Sequence, residues 1–262
     1  MNQITAKVIA DSVFQGHRLT TLILEYPRFI HSEFMTHRVF SRNASSSRAI
    51  PVRTMLWQVI RNPAMPVHWG KNQPGMQARE ELSPFKKLMS RALWRVSGIV
   101  VAGFAGLMHL VGLHKQVANR VLEPWQIMKV AVSATEWENF FELRDHSDAQ
   151  PEIQVLAQEI RQAMKDSTPR SLEEGEWHIP FNDEIPVEID LENRKKISVS
   201  ALAQTSYRRT DLTLDVANRI WDRLVNAKPI HASPLEHVAQ ATSGYVKGNF
   251  QGFSQLRHMI ID

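Results

Sequence analysis

Two arginines, a histidine and several hydroxyls lie close together near the N-terminus, in Thr36-His37-Arg38 followed by Ser46 and Arg48. A guanidinium group donates paired hydrogen bonds that match the oxygens of a phosphate or a carboxylate. This combination, at a helix end and its adjoining loop, predicts a phosphate or anion site. A solvated basic loop has the same composition, so composition alone leaves both interpretations open.

A second group of polar side chains follows in Asn139 to Arg144, with Ala149 to Ile153 downstream. Asn139 and Arg144 are five positions apart, so on a helix they only roughly share a face. A helix with solvated charges and buried Phe and Leu side chains explains the same pattern. Taken alone, the segment favours that structural interpretation.

Two histidines and a glutamate lie within seven residues, from His231 to His237, which at first suggests a metal site. The zinc-protease pattern HExxH is absent. Ser233 as N-cap, Pro234 at the first helical position and Glu236 at the third instead predict a capping box. We therefore expect no metal at this segment.

The 262-residue chain has no cysteine, which excludes disulfides, thiolate metal sites and every mechanism with a cysteine nucleophile. Its formal net charge is +4 and its pI is about 9.4, a bias that suits anionic ligands such as nucleotides, folates or nucleic acid. The first residues lack a basic segment followed by an apolar core, so we expect no signal peptide.

Hydrophobic periodicity and turn residues predict an α+β fold, with a mixed sheet and long helices. The predicted strands are 4–14, 18–26 and 196–203, with a turn at 15–17 between the first two. The predicted helical segments are 29–38, 51–60, 78–120, 122–143, 150–164, 212–225 and 252–261. We expect a single domain over 1–262, in which the acidic stretch 167–193 is a linker or an excursion.

The segment from Val96 to Leu113 is almost uncharged and is close to the lower length limit for a membrane span. Four glycines, His109 and charged residues on both sides favour a buried helix or a subunit-interface helix instead. We therefore expect no membrane association and a cytoplasmic protein.

The first polar segment resembles the signature of the flavin-dependent thymidylate synthases, the thymidylate synthase complementing protein family. That signature is written RHRxxSxNExSxRY, and the stretch THRVFSRNASSSRA matches it at His37, Arg38, Ser41, Asn43, Ser46 and Arg48. It departs from the signature at three positions, where the family has Arg, Glu and Tyr and this chain has Thr36, Ala44 and Ala49.

Three further segments resemble the same family. Residues 139–153 are similar to its helix N-x-x-x-x-L-R-x-x-x-x-A-Q-x-E-I, with one residue fewer before the Leu-Arg pair. Residues 66–76 resemble its loop ending in N-K-Q-G, in which Gln73 is the best-matched residue. Residues 118–122 are similar to its A-R-x-V-L-P, with Arg120 displaced by one position.

Two more resemblances occur in a different order along the chain. The stretch AQTSY at 203–207 resembles A-R-V-S-Y, and HASPLEH at 231–237 resembles H-x-S-P-F-E-H. In the family both precede the R-H-R element, so the resemblance implies a circular permutation, which is tolerated when chain termini lie close together. A competing interpretation places the R-H-R remnant at 255–258. We prefer 36–38, because only there do the downstream serine and arginine follow in register.

The resemblance implies a homotetramer with active sites at subunit interfaces, FAD as bound cofactor and dUMP as methyl acceptor. Methylenetetrahydrofolate would supply the carbon and NADPH the reducing equivalents, and no stable nucleic-acid partner is expected. The implied cofactor-binding residues are His37, Arg38, Asn43, Asn139 and His231. The implied substrate-binding residues are Ser46, Arg48, Gln73, Arg120 and Arg144, of which Ser46 and Arg144 are the implied catalytic residues.

The departures from the family pattern leave alternatives open. Thr36 removes a cation from the flavin region, Ala44 removes a carboxylate expected near the nucleotide, and Asp148 stands where the family often has His. These changes are compatible with dCMP as the acceptor or with hydroxymethylation in place of methylation. They are also compatible with a non-catalytic relative that binds nucleotides or nucleic acid.

Overall fold

The chain is built around a five-stranded sheet in the order β3-β4-β2-β1-β5, and a three-stranded sheet in the order β6-β7-β8 lies beside it. The computed structural model describes residues 3–207 and 210–261. The strands are β1 (Thr5–Phe14), β2 (His17–Pro27), β3 (Ser41–Ala44), β4 (Ile127–Ala134), β5 (Arg170–Ser171), β6 (Trp177–His178), β7 (Ala239–Ala241) and β8 (Phe253–Gln255). This mixture of sheets and helices confirms the predicted α+β class.

The helices connect these strands and cover the sheets. They are α1 (His31–Phe34), α2 (Val52–Arg61), α3 (Pro84–Leu110), α4 (Lys115–Ala118), α5 (Glu138–Arg144), α6 (Pro151–Asp166), α7 (Leu191–Ala203), α8 (Leu214–Leu224) and α9 (Leu256–Ile261). Short 3₁₀ helices occur at Arg28–Ile30, Arg120–Trp125, Asn182–Glu184 and Ser233–Glu236.

The first two strands form the hairpin that the sequence predicts. Gln15 and Gly16 have φ angles of 47° and 85° and make the tight turn between β1 and β2. Every second side chain near the end of β2, at Leu22, Leu24 and Tyr26, is fully buried. This alternation, typical of a strand that covers a core with one face, places β2 at the centre of the main hydrophobic cluster.

The predicted helical segment 122–143 is wrong over the length of β4. This strand pairs antiparallel with β2 on one side and with β3 on the other, where Ser41 lies opposite Ser133. Because most of β4 is buried on both faces, its apolar run shows no alternation that would distinguish a strand from a buried helix. Helical structure begins only at α5, after the strand has ended.

The predicted strand 196–203 is also wrong, because this stretch is the second half of α7. The side chain of Asp190 accepts a hydrogen bond from the amide of Asn193 and thereby caps the helix. Nearly all of 197–202 is buried, so the helix has no polar face that a sequence pattern would show. The capping residue Asp190, just before this stretch, is the local feature of the sequence that indicates a helix.

Three predicted helices are confirmed as α2, α6 and α8. Two others are shorter than expected. In 29–38 only the end of a 3₁₀ helix and α1 are helical, and the guanidinium of Arg42 donates hydrogen bonds to the carbonyls of Phe34 and His37 where α1 ends. In 252–261 the chain first pairs with β7 as β8 and only then forms α9.

The acidic stretch 167–193, expected as a linker or an excursion, packs along the edge of the larger sheet. It contributes β5, which pairs with β1, and β6, which belongs to the smaller sheet. Its apolar side chains Leu172, Ile179 and Phe181 are buried. The stretch therefore joins the two sheets.

Most of α3 faces outward although its sequence is apolar. The buried residues on it are Gly98, Ala102 and Ala105, where the helix packs on α2 and on the 3₁₀ helix before β4. The exposed face carries Leu93, Val96, Val100, Phe104, Leu107 and Leu110. The interpretation as a helix buried within this chain is therefore wrong. Among the described residues, α3 is the one helix whose length and composition would suffice to cross a membrane.

A ladder of buried hydrogen bonds connects the two sheets. The ring of His178 contacts Ser12 through Nδ1 at 2.9 Å and Thr21 through Nε2 at 2.8 Å. Thr21 in turn contacts the hydroxyl of Ser133 at 2.6 Å, and Ser133 contacts Nδ1 of His237 at 2.8 Å. Burial lowers the pKa of each histidine from 6.5 to about 3, so both rings are neutral in the folded chain.

Acid should therefore destabilise the fold through these two histidines. Because each pKa is about 3 when folded and 6.5 when unfolded, the unfolded chain binds protons first as the pH falls. This contribution to stability is complete above pH 6.5 and is lost between pH 6.5 and about 3. We expect a loss on the order of 4 kcal/mol per histidine in the free energy of unfolding, measured by chemical denaturation across that range.

The control is a histidine outside the ladder. His237→Gln should flatten the pH dependence of the unfolding free energy, whereas His109→Gln, at an exposed position of α3, should leave the slope unchanged. Equal slopes in the wild type and His237→Gln would contradict the assignment.

Candidate active site

The side chain of Arg144, at the end of α5, is held by three groups from the segment 33–37. Its Nε donates to Nε2 of His37 at 3.0 Å, and its Nη2 donates to Oγ1 of Thr36 at 3.1 Å. Its Nη1 lies 3.4 Å from Oε2 of Glu33 in a partly exposed ion pair. All three guanidinium nitrogens thus have partners, so the remaining N–H groups of this planar fork have a fixed direction.

His37 is neutral and has one tautomer in this arrangement. Because Arg144 donates to Nε2, that nitrogen carries the lone pair and Nδ1 carries the proton. Burial lowers the pKa of His37, and the charges of Arg144 and Arg42 lower it further. The ring stacks on Phe40 and meets the ring of Phe140 edge-on, with centroid distances of 5.8 and 5.0 Å.

Arg144 and Glu33 line a cleft of about 1080 Å³. Another wall is formed by the irregular loop 62–82, in which residues 78–82 are not helical, contrary to the prediction for 78–120. In that loop the amide of Gln77 donates to the carbonyl of Asp148, and Arg79 lies 3.3 Å from the Asp148 carboxylate. These contacts tie the loop to the segment after α5, so the cleft is bounded on two sides.

The signature segment 41–48 lies against the C-terminal part of the chain. Asn43 donates from Nδ2 to the carbonyl of Leu202 at 2.5 Å and accepts from the hydroxyl of Ser233 at 3.2 Å. The amide of Ser46 donates to the hydroxyl of Ser206 at 2.9 Å. Regions far apart in sequence therefore meet at this strand and loop.

The predicted capping box at 233–236 is wrong, because both of its side chains have partners elsewhere. No side chain caps the 3₁₀ helix at this position. The hydroxyl of Ser233 donates to Asn43, and the carboxylate of Glu236 pairs with Arg257. The local pattern has been overridden by long-range contacts that fasten this segment to β3.

A model of the family described as Thymidylate synthase complementing protein matches residues 2–170. The chain belongs to this family. Solved structures with a similar fold include the UMP/dUMP methylase PolB from Streptomyces cacaoi bound with 5-Br UMP (16% identity, TM-score 0.53) and with 5-Br dUMP (16% identity, TM-score 0.51). The similarity covers 63% of this chain and 89% and 90% of those chains, and at this identity it concerns the fold. No curated protein matches the chain.

The family match ends at residue 170, before the two C-terminal segments that resemble the family's N-terminal part. The contacts of Leu202, Ser206 and Ser233 with the signature segment bring these regions together, as a circular permutation requires. The permutation itself stays a prediction.

The other predicted site residues take no part in these contacts. Arg38, Arg48, Asn139 and His231 are exposed, and neither arginine side chain pairs with another residue in the described ranges. Arg120 is exposed and lies 3.0 Å from Glu123. Gln73 does not line the cleft, because its amide donates to the carbonyl of Gln77 in the same loop.

Two residues of the site were not selected from the sequence. Glu33 lies three and four positions before Thr36 and His37, so helical spacing could have placed it beside them. Asn119 is fully buried and donates to the carbonyls of Ser47 and Ile50 at 2.8 and 2.9 Å, which fastens the residue before Arg120 to the signature loop. No sequence pattern indicated that contact.

Removing the charge of Arg144 should raise the pKa of His37. In Arg144→Met the lowering effect of the guanidinium is lost while that of burial remains, so the pKa should move upward toward 6.5. An NMR titration of the histidine ring signals measures this change.

Arg161→Met is the matched control, because Arg161 pairs with Asp145 beside the same helix and stacks on Phe141 without contacting His37. An unchanged or lower pKa of His37 in Arg144→Met would show that the contact between the two side chains is not formed in solution.

Proposed function

We propose that this chain is a cytoplasmic, flavin-dependent enzyme that methylates dUMP to dTMP, with methylenetetrahydrofolate as carbon donor and NADPH as reductant. The observation that carries the proposal is the fixed guanidinium of Arg144 on the wall of a large cleft, in a chain of the thymidylate synthase complementing protein family. The PolB structures, named as those of a UMP/dUMP methylase, support a pyrimidine nucleotide as substrate.

The donor set around the signature segment fits FAD. A dinucleotide needs cations for its pyrophosphate, and the exposed guanidinium of Arg38 makes no ion pair with the described residues. His37, Arg38, Asn43, Asn139 and His231 would hold this cofactor. When bound, FAD supplies the redox chemistry, while the protein orients the reactants and excludes competing reactions.

The nucleotide would bind between the signature loop and the cleft. Ser46 and Arg48, helped by Arg120, would hold its phosphate, and Gln73 would contribute from the loop 62–82 after its side chain turns away from Gln77. Arg144 would donate hydrogen bonds to the uracil ring and stabilise negative charge that develops on it. No thiolate nucleophile takes part, since the sequence has no cysteine.

An absorbance spectrum with FAD titration, followed by an assay of dUMP conversion, tests this function. We expect stoichiometric flavin binding, a spectrum that responds to dUMP, and a product with the mass of dTMP. Arg144→Ala should lower turnover by about 100-fold or more, because an electrostatic contact of the transition state is lost. Arg161→Ala, one helix away, should keep wild-type turnover.

Three outcomes would change the assignment. Near-normal turnover in Arg144→Ala would exclude the proposed role of that residue. A product heavier than dTMP by one oxygen would indicate hydroxymethylation. Failure to bind FAD with or without dUMP would leave a non-catalytic nucleotide- or nucleic-acid-binding relative as the better interpretation.

The exposed face of α3 supports self-association, and we propose a homotetramer. Met89, Leu93, Val96, Val100, Gly103, Leu107 and Leu110 recur at alternating intervals of four and three residues, as in the seam of a coiled coil. These residues lie on the exposed side of the helix. A second copy of the chain would cover this apolar stripe and remove it from water.

Charge on this stripe should dissociate the assembly. The double variant Val100→Glu/Leu107→Glu should elute as a smaller species than the wild type in size-exclusion chromatography with light scattering. Arg91→Gln, an exposed polar change on the same helix, should keep the wild-type mass. A monomeric wild type that binds lipid vesicles through α3 would contradict the proposal.

A further inference from the structure

We propose that Glu33 accepts a hydrogen bond from N3–H of the pyrimidine ring and thereby selects uracil over cytosine. The inference rests on the proposed function, because it assumes that a pyrimidine nucleotide contacts Arg144. It assigns to Glu33 a role in specificity in addition to its ion pair.

The position of Glu33 is the first argument. It lies on α1 and lines the same cleft as Arg144. Its side chain is 37% exposed, so a ligand in the cleft can reach the carboxylate. Oε2 faces Arg144 at 3.4 Å, whereas Oε1 accepts no hydrogen bond from any residue in the described ranges. One acceptor atom is therefore available to a ligand.

The support of Arg144 by other groups is the second argument. His37 and Thr36 already accept hydrogen bonds from two of its guanidinium nitrogens at 3.0 and 3.1 Å. These two hydrogen bonds orient the side chain of Arg144 even without the carboxylate of Glu33. Its pairing with Glu33, at 3.4 Å and partly open to water, is the longest of the three contacts. Such an exposed pair contributes little to stability, so a structural role alone does not account for it well.

The chemistry of the pyrimidine edge is the third argument. A guanidinium beside a carboxylate presents a donor next to an acceptor. Uracil has carbonyl oxygens on both sides of N3–H, so an arginine that binds a carbonyl leaves the adjacent N–H for the carboxylate. Cytosine has a lone pair at N3, which would face the negative charge. A site built to hydrogen-bond a ring N–H discriminates against an analogue that lacks it, because the ligand covers the acceptor and leaves it unpaired.

The test compares three nucleotides by isothermal titration calorimetry: dUMP, dCMP and N3-methyl-dUMP, which keeps both carbonyls and carries a methyl group in place of the N3 proton. The wild type with FAD should bind dUMP more tightly than either analogue, by about 100-fold. In Glu33→Ala the affinity for dUMP should fall about 10-fold or more, while the affinities for the analogues should stay the same or rise, because the opposing carboxylate is gone. Glu33→Gln keeps an acceptor oxygen and should retain part of the preference for dUMP.

Thr36→Val is the matched comparison, because it removes another partner of Arg144 without removing the proposed acceptor. It should weaken all nucleotides that bind Arg144 by a similar factor and leave the preference for dUMP over dCMP intact. Thermal melting of each variant verifies that the fold is retained. Thr36→Ser should restore the wild-type affinities, because it restores the hydroxyl.

The outcomes separate the two proposals. If the wild type binds dUMP but Glu33→Ala weakens all three nucleotides equally, Glu33 only supports Arg144 and this inference is overturned while the proposed function remains. Tighter wild-type binding of dCMP than of dUMP also overturns it. If the wild type binds none of the three nucleotides, the proposed function fails together with this inference.

Discussion

The pairing of β4 with both β2 and β3 positions the signature strand, the C-terminal segment and the start of α5. The signature strand β3 is an edge strand, and its hydrogen bonds to β4 set Ser41 opposite Ser133. The hydroxyl of Ser133 in turn contacts His237, which fixes the C-terminal segment beside the sheet. A slip of one residue in this register would turn each side chain of β3 to the opposite face. Because α5 begins shortly after β4 ends, the same strand also sets the position of Arg144.

The elements that the sequence predicts correctly are those whose pattern is local. In the hairpin of β1 and β2, two residues suited to a tight turn separate the strands, and buried and less buried side chains alternate near the end of β2. Helix α6 has a proline in its first turn, and a glutamine before it caps the helix. By contrast, β4 and α7 are buried on most sides, so neither shows a polar face from which its period could be recognised. The apolar sequence of α3 suggested a buried helix, but most of the surface of this helix is exposed to solvent in the single chain.

The site was predictable to the extent that its residues form a motif. Signature spacing selected His37, Asn43 and Ser46, and the second motif selected Arg144, which the structure brings into contact with His37. The partners that orient these groups were harder to find, since Asn119 and Ser206 contact the signature loop from distant parts of the chain. Long-range contacts of this kind also override local patterns, as they do at the predicted capping box. The family match agrees with the motif, and the chain departs from the family signature at Thr36 and Ala44.

We propose that the signature segment, the end of α5 and the C-terminal segments form a single ligand site. Hydrogen–deuterium exchange of the purified protein, with and without FAD and dUMP, tests it most directly. We expect the ligands to slow amide exchange together in 36–48, 139–150 and 231–237, which are separate in sequence and adjacent through β3 and β4. Slower exchange confined to one of these segments, with the other two unchanged, would contradict a shared site.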